Sequence, residues 1–181
     1  MKKLVTCAEM KNLDSATIHK IGVASEVLME RAALKVVEET EKYLEKNERI
    51  LVACGNGNNG GDGIAVARLL YLKGIRAEFY MAGNKEKMTR ETTLQYKIAT
   101  AYHVPEVNNP NWSEYTTIVD AVFGVGLARP IEGHYAKIIH EMNSARAKKI
   151  AVDIPSGVNG DTGLEMGIAF SADLTVTFAY R

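Results

Sequence analysis

Short apolar runs alternate with helical patterns along almost the whole chain. Five runs have the length and bulk of strands: 49–54, 77–81, 117–123, 149–154 and 174–178. Most are continuous rather than alternating, as expected of parallel strands covered on both faces. Thr6-Cys7-Ala8-Glu9 reads as a capping box that opens a short helix running to about Lys20 and stopped by Gly22. Ser25 is placed as the N-cap of a longer helix reaching about Glu45. Its Leu28, Ala32, Val36 and Leu44 fall at multiples of four, with Met29, Ala33 and Val37 beside them. That stripe suits a core face or a dimer surface. Further helices are expected from about Gly61 to Lys73, closed by Gly74, and from about Thr89 to Tyr102. Another begins near Pro130 and carries Ile131, Ile138, Ile139 and Met142. Strands alternating with helices predict an α/β protein, a three-layer α/β/α Rossmann-like fold with a mainly parallel, doubly wound sheet. The sequence shows no repeat, low-complexity segment or linker, so residues 1–181 read as a single domain.

Charge and cysteine content narrow the partners. Lys plus Arg and Asp plus Glu both number 22, so no overall field favours nucleic acid or an anionic membrane. Two cysteines, Cys7 and Cys54, make neither a disulfide framework nor a four-cysteine zinc site, which fits a reducing compartment. The basic start Met1-Lys2-Lys3-Leu4 resembles the opening of a signal peptide, but Glu9 and Lys11 interrupt it before an apolar stretch develops. No run approaches the length of a membrane span, and a cytoplasmic protein is expected. His19, His103, His134 and His140 lack metal-ligand spacing.

The chemistry gathers at the ends of three strands, the edge where open parallel sheets present ligands. After the first strand comes Gly55-Asn56-Gly57-Asn58-Asn59-Gly60-Gly61-Asp62-Gly63, five glycines, three asparagines and an aspartate that cannot build a core. A glycine-rich turn into a helix aims backbone N–H groups at one point, a setting for an anion or nucleotide. After the third strand, Asp120 leads into Gly124 to Pro130. After the fourth, Asp153-Ile154-Pro155-Ser156-Gly157 continues to Asp161-Thr162-Gly163. The chain has no phosphate-binding Gly-Lys-Ser/Thr and no G-x-G-x-x-G at Rossmann spacing, which argues against phosphoryl transfer and ordinary hydride transfer. Lys85 and Lys87, after the second strand, either reach a phosphate or belong to a solvated loop.

These three segments, in this order, resemble the YjeF N-terminal domain family of NAD(P)HX epimerases. The matching stretches are Gly57 to Gly63, Val119-Asp120-Ala121-Val122-Phe123-Gly124-Val125-Gly126-Leu127 with Arg129-Pro130, and Asp153 to Gly157 with Asp161 to Gly163. Met10-Lys11-Asn12-Leu13-Asp14 and Leu28-Met29-Glu30-Arg31-Ala32 look like that family too. Asn56 stands where the family often has proline, a change in loop stiffness rather than chemistry. The family usually continues past Phe178-Ala179-Tyr180-Arg181 through a Lys-Pro step into a closing strand and helix. The resemblance therefore implies a chain truncated at its C-terminus, or the front of a longer protein carrying a dehydratase.

The resemblance implies an isomerase that interconverts the R and S epimers of hydrated NADH and NADPH, with NADHX and NADPHX as substrates rather than redox cofactors. For that reaction Asp153, at the end of a buried strand beside a rigid Ile-Pro-Ser turn, is the best candidate for a proton-shuttling carboxyl. Substrate contacts would come from Asn58, Asn59, Gly60, Gly61 and Asp62, from Gly124, Val125, Gly126, Leu127, Ala128, Arg129 and Pro130, and from Tyr135 and Asp153. A potassium ion would be held by Asn59, Asp120 and Ser156, which offer hard oxygen ligands. A homodimer is implied, working with a fused or separate NAD(P)HX dehydratase. The alternative is a non-catalytic scaffold of the same fold, serving RNA processing or lipoprotein binding. That reading predicts loss of the aspartates or the asparagine pair, and this chain keeps them.

Overall fold

The computed structural model describes residues 5–45 and 47–178. The basic start at residues 1–4 and the chain end at residues 179–181 lie outside the described residues. Five strands, β1 (Arg49–Cys54), β2 (Arg76–Met81), β3 (Thr117–Ala121), β4 (Lys148–Val152) and β5 (Leu174–Val176), form one sheet in the order β2-β1-β3-β4-β5. All four pairings are parallel. The helices are α1 (Cys7–Ala16), α2 (Ser25–Glu41), α3 (Asn58–Leu72), α4 (Arg90–Ala101) and α5 (Gly133–Ser144).

Alternation along the buried strands divides the core in two. Ile50, Val52 and Cys54 of β1 point with Val119 and Ala121 of β3 toward Ala33, Val36 and Val37 of α2, Ile64 to Leu70 of α3 and Ala99 of α4. Leu51 and Ala53 point the other way, with Ile118 and Ala151, toward Ile138, Ile139 and Met142 of α5. Helices thus cover both faces, as a sheet of continuous apolar strands requires. Part of the apolar stripe on α2 is core: Met29, Ala33, Val36 and Val37 are buried, and Leu28 and Ala32 are half-buried. Leu44 lies past the helix end at Glu41, and Val27 and Leu34 on another face are about half exposed.

Several boundaries differ from the sequence pattern, each for a local reason. β3 ends at Ala121 because the Asp120 carboxylate accepts from the Val122 N–H at 3.1 Å and turns the chain out of the ladder. β4 ends at Val152, where Asp153 takes φ 68° and the Ile154 N–H donates back to the Val152 carbonyl at 2.8 Å. Ser25 is not the N-cap of α2; Ala24 holds that position without a side-chain bond, and the Ser25 hydroxyl meets Glu91 at 3.2 Å instead. Ile131 precedes α5 and pairs its N–H with the Met166 carbonyl at 2.8 Å. The Thr6–Glu9 capping box is present, and Gly22 ends the following π-helical turn at φ 89°.

Candidate functional site

In the order β2-β1-β3-β4-β5 the chain leaves β1 on one side and returns to β3 on the other, so helices diverge at the carboxyl ends of these two strands. That divergence opens the crevice where doubly wound sheets take ligands. The glycine-rich run enters it in an unexpected form. Its turn is only three residues long, because α3 already begins at Asn58 rather than near Gly61, with Gly57 as an extended N-cap. Asn58, Asn59 and Gly60 therefore occupy the first turn of a 15-residue helix, where backbone N–H groups lack intrahelical partners.

Backbone contact closes the base of this crevice. The Gly55 N–H donates to the Ala121 carbonyl at 3.0 Å, extending the β1–β3 pairing past both strands. A Cβ on Gly55 would stand 2.0 Å from the Val122 carbonyl oxygen, and one on Gly60 would stand 1.9 Å from the Gly55 oxygen. Glycine at both places lets α3 start directly against the end of β3.

Asp120 sits on the α5 side of the sheet, flanked in register by Ala53 and Ala151, whose small side chains leave room for a carboxylate. It is fully buried and closely bonded. Oδ1 accepts from the Ser156 hydroxyl at 2.6 Å and from Val122, while Oδ2 accepts the Ser156 N–H at 2.7 Å. Burial pushes its pKa up to about 6, against the opposing pull of these hydrogen bonds. Ser156 also accepts the Phe123 N–H at 2.8 Å, so one hydroxyl ties the end of β3 to the turn after β4.

Asn59 comes to the same place from α3. Both polar atoms of its amide are buried and have no hydrogen-bond partner in the protein, an expensive arrangement for an amide. The space beside Gly124 brings two groups together. A point where a Cβ would stand lies 3.2 Å from the Asn59 Cγ and 3.2 Å from the Asp153 Oδ2. Asp153 itself is a non-glycine residue in the left-handed region, at the centre of the three-residue turn that ends β4. Such turns are uncommon and strained, and they persist where the surroundings hold them.

Electrostatics couple three carboxyls here. Burial raises the pKa of Asp153, a backbone bond from Val125 partly opposes this, and the charge of Asp14 raises it further. Part of the Asp62 surface is open, yet packing around its carboxyl pushes its pKa well above the usual carboxylate range, with Asp153 and Asp14 adding to the shift. Burial therefore acts against ionisation of both Asp153 and Asp62, and the charge of Asp14 adds to it at each. Asp62 follows Asn59 by three positions, so helical spacing sets both on one face of α3.

The remaining predicted residues divide by exposure. Gly60 and Gly61 are buried; Gly124, Val125, Leu127 and Tyr135 are half-buried; Asn58, Gly126, Ala128, Arg129 and Pro130 are exposed. Tyr135 meets Phe123 edge-on, with ring centroids 4.8 Å apart. Two features escaped sequence reasoning. Asp14 on α1 reaches the carboxyl group electrostatically, and Asp161 accepts the Cys7 N–H at 2.7 Å, tethering the N-terminus of α1 beside the site. The capping box revealed α1, but no local signal says where it docks. A cavity of about 470 Å³ also lies next to the site, lined by Phe123, Leu127, Arg129, Tyr135 and, from other segments, Asn56, Asn84 and Lys87.

Comparison with known proteins shows the family and the fold. Residues 25–181 match the family described as YjeF-related protein N-terminus. An NAD(P)H-hydrate epimerase of Oenococcus oeni is 49% identical over 98% of this chain and 85% of its own length. One from Limosilactobacillus fermentum is 43% identical over 99% of this chain and 87% of its own. A yeast protein of known crystal structure superposes with a TM-score of 0.86 at 25% identity, covering 98% of this chain and 81% of that one. This chain belongs to the family of YjeF-related protein N-terminal domains.

Proposed function

We propose that this protein is an NAD(P)H-hydrate epimerase, acting on the R and S hydrates of NADH and NADPH. One observation carries the reading to specific atoms: the Asn59 amide, without partners, and the Asp153 carboxyl meet against Gly124. The hydrate bears a hydroxyl on the carbon next to its ring nitrogen. Asp153 donates a proton to that hydroxyl, the C–O bond breaks, and water leaves as the nitrogen lone pair forms an iminium. Water then adds to either face and returns a proton to the carboxylate. The raised pKa of Asp153 favours the acid form needed for the first step. The N–H groups at the start of α3 suit the diphosphate, and glycine at 124 lets the backbone approach both Asn59 and the Asp153 carboxyl.

Asn59, Asp120 and Ser156 fit a potassium ion, since they offer an amide, a carboxylate and a hydroxyl, and the amide lacks any other partner. When bound, the ion supplies positive charge beside an anionic substrate. Potassium is expected to raise the unfolding temperature by a few degrees relative to choline at equal ionic strength, by ordinary binding linkage. Asn59→Ala should remove that difference in a thermal scan; an unchanged shift would take Asn59 out of the ion site. The homodimer would bury the exposed Val27 and Leu34 of α2. Among the described residues no helix is long and apolar enough to cross a membrane, and the free Cys7 and Cys54 fit a reducing, cytoplasmic setting.

The direct test mixes the protein with purified R hydrate and follows the S hydrate by chromatography. The S form should appear far faster than without protein. No acceleration at high protein concentration with potassium present would favour the scaffold reading instead.

A further inference from the structure

We infer that the 470 Å³ cavity beside the catalytic pocket receives the adenosine half of the dinucleotide, and that Lys87 on its rim recognises the 2′-phosphate of the phosphorylated hydrate. This rests on the epimerase reading and deepens it, because the two hydrates differ only in that phosphate.

A dinucleotide whose nicotinamide ring lies at Asp153 and whose diphosphate lies at the start of α3 still needs a place for its second nucleoside. The cavity is adjacent: Phe123 lines it, and the next residue, Gly124, abuts Asp153. Its volume lies within the range of small-ligand sites. The Phe123 and Tyr135 rings give it an aromatic wall suited to a purine.

Charge on the rim points to an anion. Lys87 and Arg129 approach from different strand ends, and neither has an ion-pair partner among the described residues. The contrast with Lys85, two residues away, is instructive. Lys85 is occupied, 2.5 Å from Glu106 and 3.0 Å from the Tyr96 hydroxyl. The backbone around Lys87 is fixed to the glycine-rich turn: its carbonyl accepts from the Asn56 amide at 3.0 Å, and the Thr89 N–H donates to the Asn56 carbonyl at 3.0 Å. Lys87 is thus an exposed, unpaired cation on an anchored segment. Glu132 also lines the cavity and offsets one cation, so Lys87 and Arg129 still leave the rim net positive, which suits a phosphate.

Lys87→Ala is expected to lower kcat/KM for hydrated NADPH by about tenfold while changing that for hydrated NADH by less than about twofold, the pattern of one lost charge-assisted phosphate contact. Lys87→Glu should widen the gap. Calorimetry with adenosine 2′,5′-bisphosphate and 5′-AMP supplies a readout that needs no turnover. The wild type should bind the bisphosphate more tightly, and Lys87→Glu should lose that preference. Equal loss with both hydrates, no change with either, or equal affinity for the two adenylates would overturn the assignment. Absence of epimerisation with both hydrates in the wild type would instead overturn the epimerase reading, while the calorimetric preference would still test the cavity.

Discussion

Asp153→Asn is expected to lower epimerisation by about 10²- to 10⁴-fold, the usual range for removing a positioned proton donor, while the protein stays folded. The substitution is nearly isosteric, and asparagine accepts the left-handed conformation that Asp153 holds at φ 68° more readily than most residues. Its amide oxygen can keep the bond from the Val125 N–H. The variant should therefore unfold close to the wild-type temperature and retain the adenylate affinity measured by calorimetry. The pH profile separates acid catalysis from mere packing. Asp153 acts in its protonated form, and its pKa is raised, so wild-type kcat/KM should decline as pH rises past that pKa. Asp14 contributes to the rise by its charge, so Asp14→Asn should move the decline to lower pH without abolishing turnover. Full activity in a folded Asp153→Asn protein would remove Asp153 from the reaction.

The architecture was legible because both of its signals are local. Runs such as 49–54 and 117–123 are apolar on both faces, and helical patterns lie between them, which suffices for a covered parallel sheet. Strand ends stood out as candidate sites because glycine and aspartate there have no role in a core. Positions that depend on long-range bonds were not. The Asp120 carboxylate ends β3 early by taking the Val122 N–H, and a strand pattern contains no sign of that. The start of α3 was misplaced by three residues because Asn58, Asn59 and Gly60 are poor helix formers. They form the first turn since it packs against the ends of β1 and β3. Lys87 was ambiguous for a similar reason. Nothing near it in sequence says that Glu106 would take Lys85 and leave Lys87 unpaired.

Gly55→Ala should be among the most damaging single methyl groups that the chain can receive near the site. The added Cβ would lie 2.0 Å from the Val122 carbonyl oxygen and 3.0 Å from its carbonyl carbon, both backbone atoms. A flexible side chain could rotate away, but here the end of β3 must move. That movement would strain the 3.0 Å bond between the Gly55 N–H and the Ala121 carbonyl. Overpacking of this kind costs about 3 kcal/mol or more, enough to lower the unfolding temperature by roughly 6–12 °C in a domain of this size. Gly57→Ala in the same turn is the control, since its Cβ would meet nothing within 4 Å. It should cost less than about 1 kcal/mol, the price of a poorer helix cap. Val122→Ala should not rescue Gly55→Ala, because the obstruction is the main chain. Rescue in a denaturant or thermal titration would show that the end of β3 yields easily. A stable Gly55→Ala protein should still epimerise poorly, since any shift of residues 120–124 separates Asp120 from Ser156 and Gly124 from Asp153. Stability and turnover measured on the same variant therefore test whether close contact between the ends of β1 and β3 is what holds the site in register.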